Sequence, residues 1–399
     1  MSKSVSLLGL LFLLACGSSD DSATGSGADS DGGTTTTGGT STSGGSSSTG
    51  GTSATGGTSA TGGTSSTGGT SSTGGTSSTG ASATGGTSGG SVVIPAERDN
   101  AEAVRVMTYN VMIAGSDDNM PEFIDTRRHE LFQTVVNNVP DLIGFQEAST
   151  MVSNSDGVTQ QDALGQLFDG TQYQYLTWEV QGGNIMSVIA VNTDRFSPVA
   201  NGTHPMDLVD DIGETAWERY HDLHGTFHAQ GGFVHRMSSE RHANWVVADD
   251  LTTDKRVLLI NTHYETFIGN NNLGAEFDDD FAEFTSVVNA SFGYWSRTVA
   301  ALAATLRAEH GADGVVILGD LETIDVNLPG MLELTDAGYT EAWWYMNPAG
   351  AGAFRPVQGI DNVFVDLADF DIVGAAYDEA DYTDDASDHK PLYADLSWK

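Results

Sequence analysis

The hydrophobic pattern changes character twice along the chain. Residues 1–16 (MSKSVSLLGLLFLLAC) carry one basic residue, Lys3, and then an apolar run over 7–15 broken only by Gly9. That run is shorter than the ~20 residues of a spanning helix and predicts the core of a secretory signal. Residues 17–91 show no apolar periodicity. They are Gly, Ser, Thr and Ala with a few Asp, and from Gly50 the hexad GGTSAT/GGTSST repeats five times. Without large apolar side chains no core can form, so this segment is expected to be a disordered tether. Its ~75 residues would reach about 50 Å r.m.s..

From Val92 onward regular patterns take over, and residues 92–399 are expected to form one domain. Short β-branched and apolar runs predict strands over 104–112, 141–146, 186–192, 243–248, 256–261 and 314–318, with three late ones over 359–365, 370–373 and 391–396. Leu131, Phe132, Val135 and Val136 form the stripe of a helix over 126–138, with Thr126 as its cap and Pro140 beyond its end. An alanine-rich stripe predicts a helix over 294–310 stopped by Gly311, and a short one follows over 331–337. Strands and helices mix without strict alternation. That pattern points to two packed sheets with helices outside.

Six of these apolar stretches end in polar, mostly acidic, groups. They are MTYN (Asn110), GFQE (Glu147), LINTH (Asn261, His263), ILGDLE (Asp320, Glu322), GIDNVFV (Asp361, Asn362) and ASDHKPL (Asp388, His389). Strand ends deliver side chains from a rigid frame, so these groups can converge at one end of a sandwich. Carboxylates such as Glu147 and Asp388 are hard oxygen ligands, suited to Mg²⁺ or Mn²⁺, with Ca²⁺ as a further candidate. A histidine beside a carboxylate can move a proton near neutral pH.

Taken in order, the six motifs resemble the endonuclease/exonuclease/phosphatase superfamily, which includes DNase-I-like nucleases, sphingomyelinase-type enzymes and inositol-phosphate phosphatases. The resemblance spans about residues 104–396 and implies an α/β (α+β) fold, a four-layer sandwich of two packed mixed β-sheets flanked by helices, and metal-dependent hydrolysis of phosphoesters by in-line attack of water. It implies metal roles for Glu147, Asn110 and Asp388. It implies catalytic roles for His263, Asp320 and His389, with Asp361 orienting His389. Arg241, Asn261 and Asn362 are expected to contact substrate. One position departs from the family: Glu322 stands where the G-D-x-N motif has asparagine. A glutamate there could hold a second metal ion, stay protonated beside Asp320, or mark a site that only binds. The rival reading is therefore a non-catalytic surface binding protein on the same fold.

Composition narrows the partners. The formal charge is −38, and the first 95 residues, with one lysine and four aspartates, account for −3 of it. The remaining −35 repels polyanions at long range and argues against a protein that coats nucleic acid, though a bound cation would invert the sign locally. The expected substrate is a phosphoester: nucleic acid, a phospholipid head group or a small phosphate ester. The single cysteine, Cys16, excludes an internal disulfide. Leu13-Leu14-Ala15-Cys16 resembles a bacterial lipoprotein box, which implies lipid on Cys16 and a monomer anchored in the cell envelope, exposed outside the cytoplasm. His221, His224, His228, His235 and His242 are expected on a mobile substrate loop. Arg297 is expected at phosphate or in a surface ion pair. Trp217, Trp343 and Trp344 are expected mainly in packing, and the acidic runs 278–280 and 384–385 in solvated loops.

Overall fold

The computed structural model describes residues 102–113, 123–150, 157–178, 185–209, 213–229, 240–264, 278–322, 327–348, 360–380 and 386–399. They belong to a unit running from Gly89 to Lys399. The elements begin with β1 (Val104–Asn110), α1 (Arg128–Asn138), β2 (Leu142–Ser149), α2 (Gln160–Phe168), β3 (Tyr173–Leu176) and β4 (Ile185–Asn192). Then come β5 (Phe196–Asp207), α3 (Glu214–Ala229), β6 (Glu240–Asp250), β7 (Lys255–His263), α4 (Asp278–His310) and β8 (Gly314–Asp320). The chain closes with α5 (Pro329–Asp336), β9 (Tyr339–Glu341), α6 (Ala342–Met346), β10 (Asp361–Asp366), β11 (Phe370–Tyr377) and β12 (Leu392–Trp398).

The strands form two six-stranded mixed sheets, ordered β11-β12-β1-β2-β4-β3 and β5-β6-β7-β8-β10-β9. Each sheet has one parallel pair at its centre, β1·β2 and β7·β8, and every other pairing is antiparallel. The two sheets thus repeat one pattern. In each, a helix-bearing connection, through α1 or α4, joins the two parallel strands.

Alternation along the strands builds the layers. Val104, Val106, Leu142, Val257, Leu259, Val316, Leu318, Val363 and Val365 face the space between the sheets. The opposite faces also carry apolar residues, because helices cover them. Met107, Tyr109, Ile143 and Phe145 pack with Leu131 and Val135 of α1. Leu258, Ile260, Val315 and Ile317 pack with Val288, Trp295 and Val299 of α4.

Several boundaries differ from the sequence reading. Thr126 is not a cap: a π-helical turn over Phe123–Arg127 leads into α1, whose first residue has no side-chain cap. The long helix starts at Asp278, not at 294. The histidine-rich stretch is helical over Glu214–Ala229, where His221 sits edge-on to Trp217 at 4.6 Å. Arg297 pairs with Glu333 at 2.7 Å on the surface. Trp217 and Trp344 pack against one core cluster and Trp343 against another. Cys16, His235 and the run 384–385 lie outside the described residues.

Candidate active site

The inward-facing column of side chains turns polar toward the C-terminal ends of the parallel strands. In the second sheet, strand register sets His263 of β7 beside Asp320 of β8, and Asp320 beside Asp361 of β10. Neighbours in register share a face, so these three form one row across the sheet. In the first sheet, β2 carries a bulge between Phe145 and Ala148, and Glu147 has φ 60°. The extra residue lets consecutive side chains, Gln146 and Glu147, both turn inward.

Asp320 is the hub. Asn110 Nδ2 donates to its Oδ2 at 2.9 Å and to Glu147 Oε1 at 3.0 Å. His263 Nε2 lies 3.6 Å from the same Oδ2, and His389 Nε2 lies 3.7 Å from it. His389 Nδ1 donates to Asp361 Oδ2 at 2.8 Å, which fixes the ring. Ile113 N donates to Glu147 Oε2 at 2.8 Å, and Glu322 N donates to Asp320 Oδ1 at 3.2 Å.

Burial sets the electrostatics. Asp320 is 1% exposed, and burial raises its carboxyl to about 7, with Asp361 and Glu147 adding repulsion against the attraction of His389. Burial also acts on His389, in the opposite sense, but Asp361 and Asp320 outweigh it and hold the imidazolium well above its usual range. His263 goes the other way. Burial first, then the charge of Arg241, lower it to about 3, so its ring is neutral. The two histidines therefore differ in charge while facing one carboxylate oxygen.

The donor set fits a divalent cation. Asp320, Asp361 and Glu147 crowd together, and His263 has both ring nitrogens buried without a hydrogen-bond partner among the described residues. One atom each from His263, Asp320 and Glu322 lie within 4.8 Å of one another, as do atoms from Asp320, Asp361 and His389. A cation here would relieve carboxylate repulsion that the described side chains leave only partly balanced.

Three expected site residues sit elsewhere. Asn261 is fully buried one layer below: its Oδ1 accepts from Gln146 Nε2 at 2.6 Å, and its Nδ2 donates to Phe145 O and Val188 O. It joins the two sheets under the site and has no surface to offer substrate. Gly144 makes room for it, since a Cβ there would meet Asn261 Cγ at 2.7 Å. Asn362 alternates to the other face from Asp361, and its amide donates to Ile360 O. Asp388 is exposed at the rim, its Oδ1 3.4 Å from Ser387 Oγ. Arg241, partly buried on β6, acts on the site through its charge on His263.

Two residues that the sequence reading passed over hold the site together. Arg127 is buried and donates to the carbonyls of Val111, Met112 and Ala386, so one guanidinium ties the end of β1 to the turn before His389. Ser387 Oγ donates to Asn110 O at 2.7 Å and accepts from His389 N at 3.1 Å. Ser387 was visible within the SDH triplet. Arg127 had only the weak signal of two adjacent arginines in an acid-rich chain.

Among solved structures, an endonuclease/exonuclease/phosphatase from Bacteroides vulgatus superposes with a TM-score of 0.50 at 15% identity, over 74% of this chain and 99% of that one. The chain has the endonuclease/exonuclease/phosphatase fold. The human Nocturnin catalytic domain with bound sulfate gives a TM-score of 0.49 at 13% identity, over 75% of this chain and 95% of that one. A mannosyl-6-phosphatase from Bacteroides thetaiotaomicron gives 0.48 at 14% identity, over 74% of this chain and 100% of that one. No protein-family model and no curated protein matches the sequence.

Proposed function

We propose that the protein is a divalent-metal-dependent phosphoester hydrolase. One observation carries this reading: Asn110, His263 and His389 converge on Oδ2 of Asp320 from three separate segments, with Asp361 behind His389. Water attacks phosphorus in line with the departing oxygen, and its proton passes to the Asp320 carboxylate. His389, charged and braced by Asp361, donates from Nε2 to an oxygen of the transferring phosphoryl group. His263, neutral, donates an N–H and adds no charge of its own. Asn110 holds Asp320 and Glu147 in place through its two donated hydrogen bonds. A Mg²⁺ or Mn²⁺ ion held by Glu147, with Asn110 alongside, would neutralise charge that develops on the phosphoryl oxygens.

The charge of the chain favours small esters over long nucleic acid. The test is hydrolysis by the full chain of bis(p-nitrophenyl) phosphate and p-nitrophenyl phosphate with added Mg²⁺ or Mn²⁺. Turnover of at least one ester is expected, with Asp320→Asn lowering kcat about 10²–10⁴-fold. If both esters stay intact under every metal condition, the reading fails.

The same reading sets the enzyme at a membrane surface, with lipid on Cys16 and residues 17–91 as its leash. The support is the LLAC box and the absence of any other cysteine. Cys16→Ser is expected to move the protein from the membrane pellet to the soluble fraction and to abolish palmitate labelling.

A further inference from the structure

His263 is chemically unsatisfied. It is 7% exposed, and neither ring nitrogen makes a hydrogen bond among the described residues. A buried imidazole ordinarily donates at one nitrogen and accepts at the other. His263 does neither, although Nε2 is aimed at Asp320 Oδ2, 3.6 Å away. Glu322 brings a second carboxylate to the same place, through backbone turned at φ 55° and pinned by its own N–H to Asp320 Oδ1. One ligand atom from each of the three residues lies within 4.8 Å of the others. Atoms that bind one ion at about 2.1 Å lie about 3–3.5 Å apart, so small side-chain shifts suffice to close the triad.

We propose that His263, Asp320 and Glu322 form a second cation position, separate from the oxygen position at Glu147. Its imidazole nitrogen selects Mn²⁺, Co²⁺ or Zn²⁺ over Mg²⁺ and Ca²⁺, which take oxygen ligands almost exclusively. Glutamate at 322 supplies what an amide cannot: a second negative charge, so that the triad matches a divalent ion. The asparagine of the resembled family would leave one carboxylate and two neutral groups. The cleft then holds two positions of different softness linked by Asn110, which donates to both Glu147 and Asp320, and the departure from the family pattern has a chemical purpose. The inference rests on the cleft being a cation site and not on which ester it hydrolyses.

The test is binding of Mn²⁺ to the chelator-stripped full chain in excess Mg²⁺, followed by electron paramagnetic resonance. One Mn²⁺ is expected to stay bound against Mg²⁺ and to show the ¹⁴N coupling of a directly ligated imidazole. Glu322→Gln should weaken this binding about ten- to a hundredfold. His263→Asn should erase the coupling, whereas His389→Asn should leave it. Circular dichroism checks that each variant is folded, and the wild-type coupling decides the matter if one is not. A wild-type signal without ¹⁴N coupling, coupling that survives His263→Asn, or unchanged affinity in Glu322→Gln would overturn the proposal. Ester turnover with Mg²⁺ alone, combined with any of those results, would sink this inference and leave the hydrolase reading intact.

Discussion

Glu147 and Glu322 share a backbone conformation that glutamate seldom adopts, at φ 60° and 55°. The left-handed region costs an ordinary L-residue of order 1–2 kcal/mol, and asparagine tolerates it better. Glu322→Asn is therefore expected to stabilise the metal-free protein by up to about 1 kcal/mol, also because it removes a carboxylate beside Asp320. Urea unfolding in a chelator checks this; a lower midpoint would show that Glu322 is held by contacts worth more than the strain. Gly319 is constrained more tightly. Its φ is 149°, and a Cβ would lie 1.8 Å from Thr262 O, a backbone atom that cannot swing aside. Gly319→Ala should cost about 3 kcal/mol or more and should separate β7 from β8 where His263 and Asp320 meet. At this scale the sequence was informative, because polar residues at the ends of apolar runs have few structural excuses. It misled where alternation decided the face: Asn362 is one residue from Asp361 and points the opposite way. Asn261, two residues before His263, shares its face but sits one layer deeper.

Elements fix how these residues meet. Arg127 sits where the π-helical turn joins α1, and its guanidinium satisfies three carbonyls from two distant loops. Arg127→Met would strand those acceptors in a buried place, with an expected loss of about 2–4 kcal/mol by urea unfolding. A loss under 0.5 kcal/mol, as at an ordinary surface position, would refute the clamp. Farther away, Asp250 ends β6 and accepts from Thr252 N and Oγ1 and from Trp398 Nε1, with Arg195 beside it. Burial pushes its carboxyl up, but these donors and Arg195 outweigh burial and hold it below its usual range. The folded pKa is the lower one, so this stability is complete above the unfolded value of about 4 and is lost as pH falls through the folded value. Asp250→Asn should flatten that acid limb in unfolding midpoints measured across pH 2–5; an unchanged slope would count against the network. The strands nearest the site were legible because apolar runs covered on both faces stand out. The start of α4 and the whole of α3 were not. Their amphipathic stripes are diluted by acids and histidines, and tertiary packing of residues such as Val288, Phe292 and Tyr220 secures them.

For the whole molecule, the −35 carried after residue 95 makes a specific kinetic claim. The Debye length shrinks from ~30 Å at 0.01 M salt to ~10 Å at 0.1 M. The KM for a long oligonucleotide should therefore fall as salt rises over that range, while the KM for a small monoester should barely move. A KM for the oligonucleotide that climbs with salt would instead reveal a basic track for phosphates. The sandwich itself was legible from mixed strands and helices, whereas the order of strands within each sheet was not, since pairing partners lie far apart in sequence. The pairing of β1 with β12 is the extreme case: Arg105 and Asp395 close it with a paired ion bridge at 2.7 Å. A nascent chain can lay down β1 early, yet that strand keeps an unmet flank until β12 has been made. A prematurely stopped chain would therefore be left with a half-clasped sheet and no His389. The proposed chemistry thus waits on the same late segment that closes the first sheet.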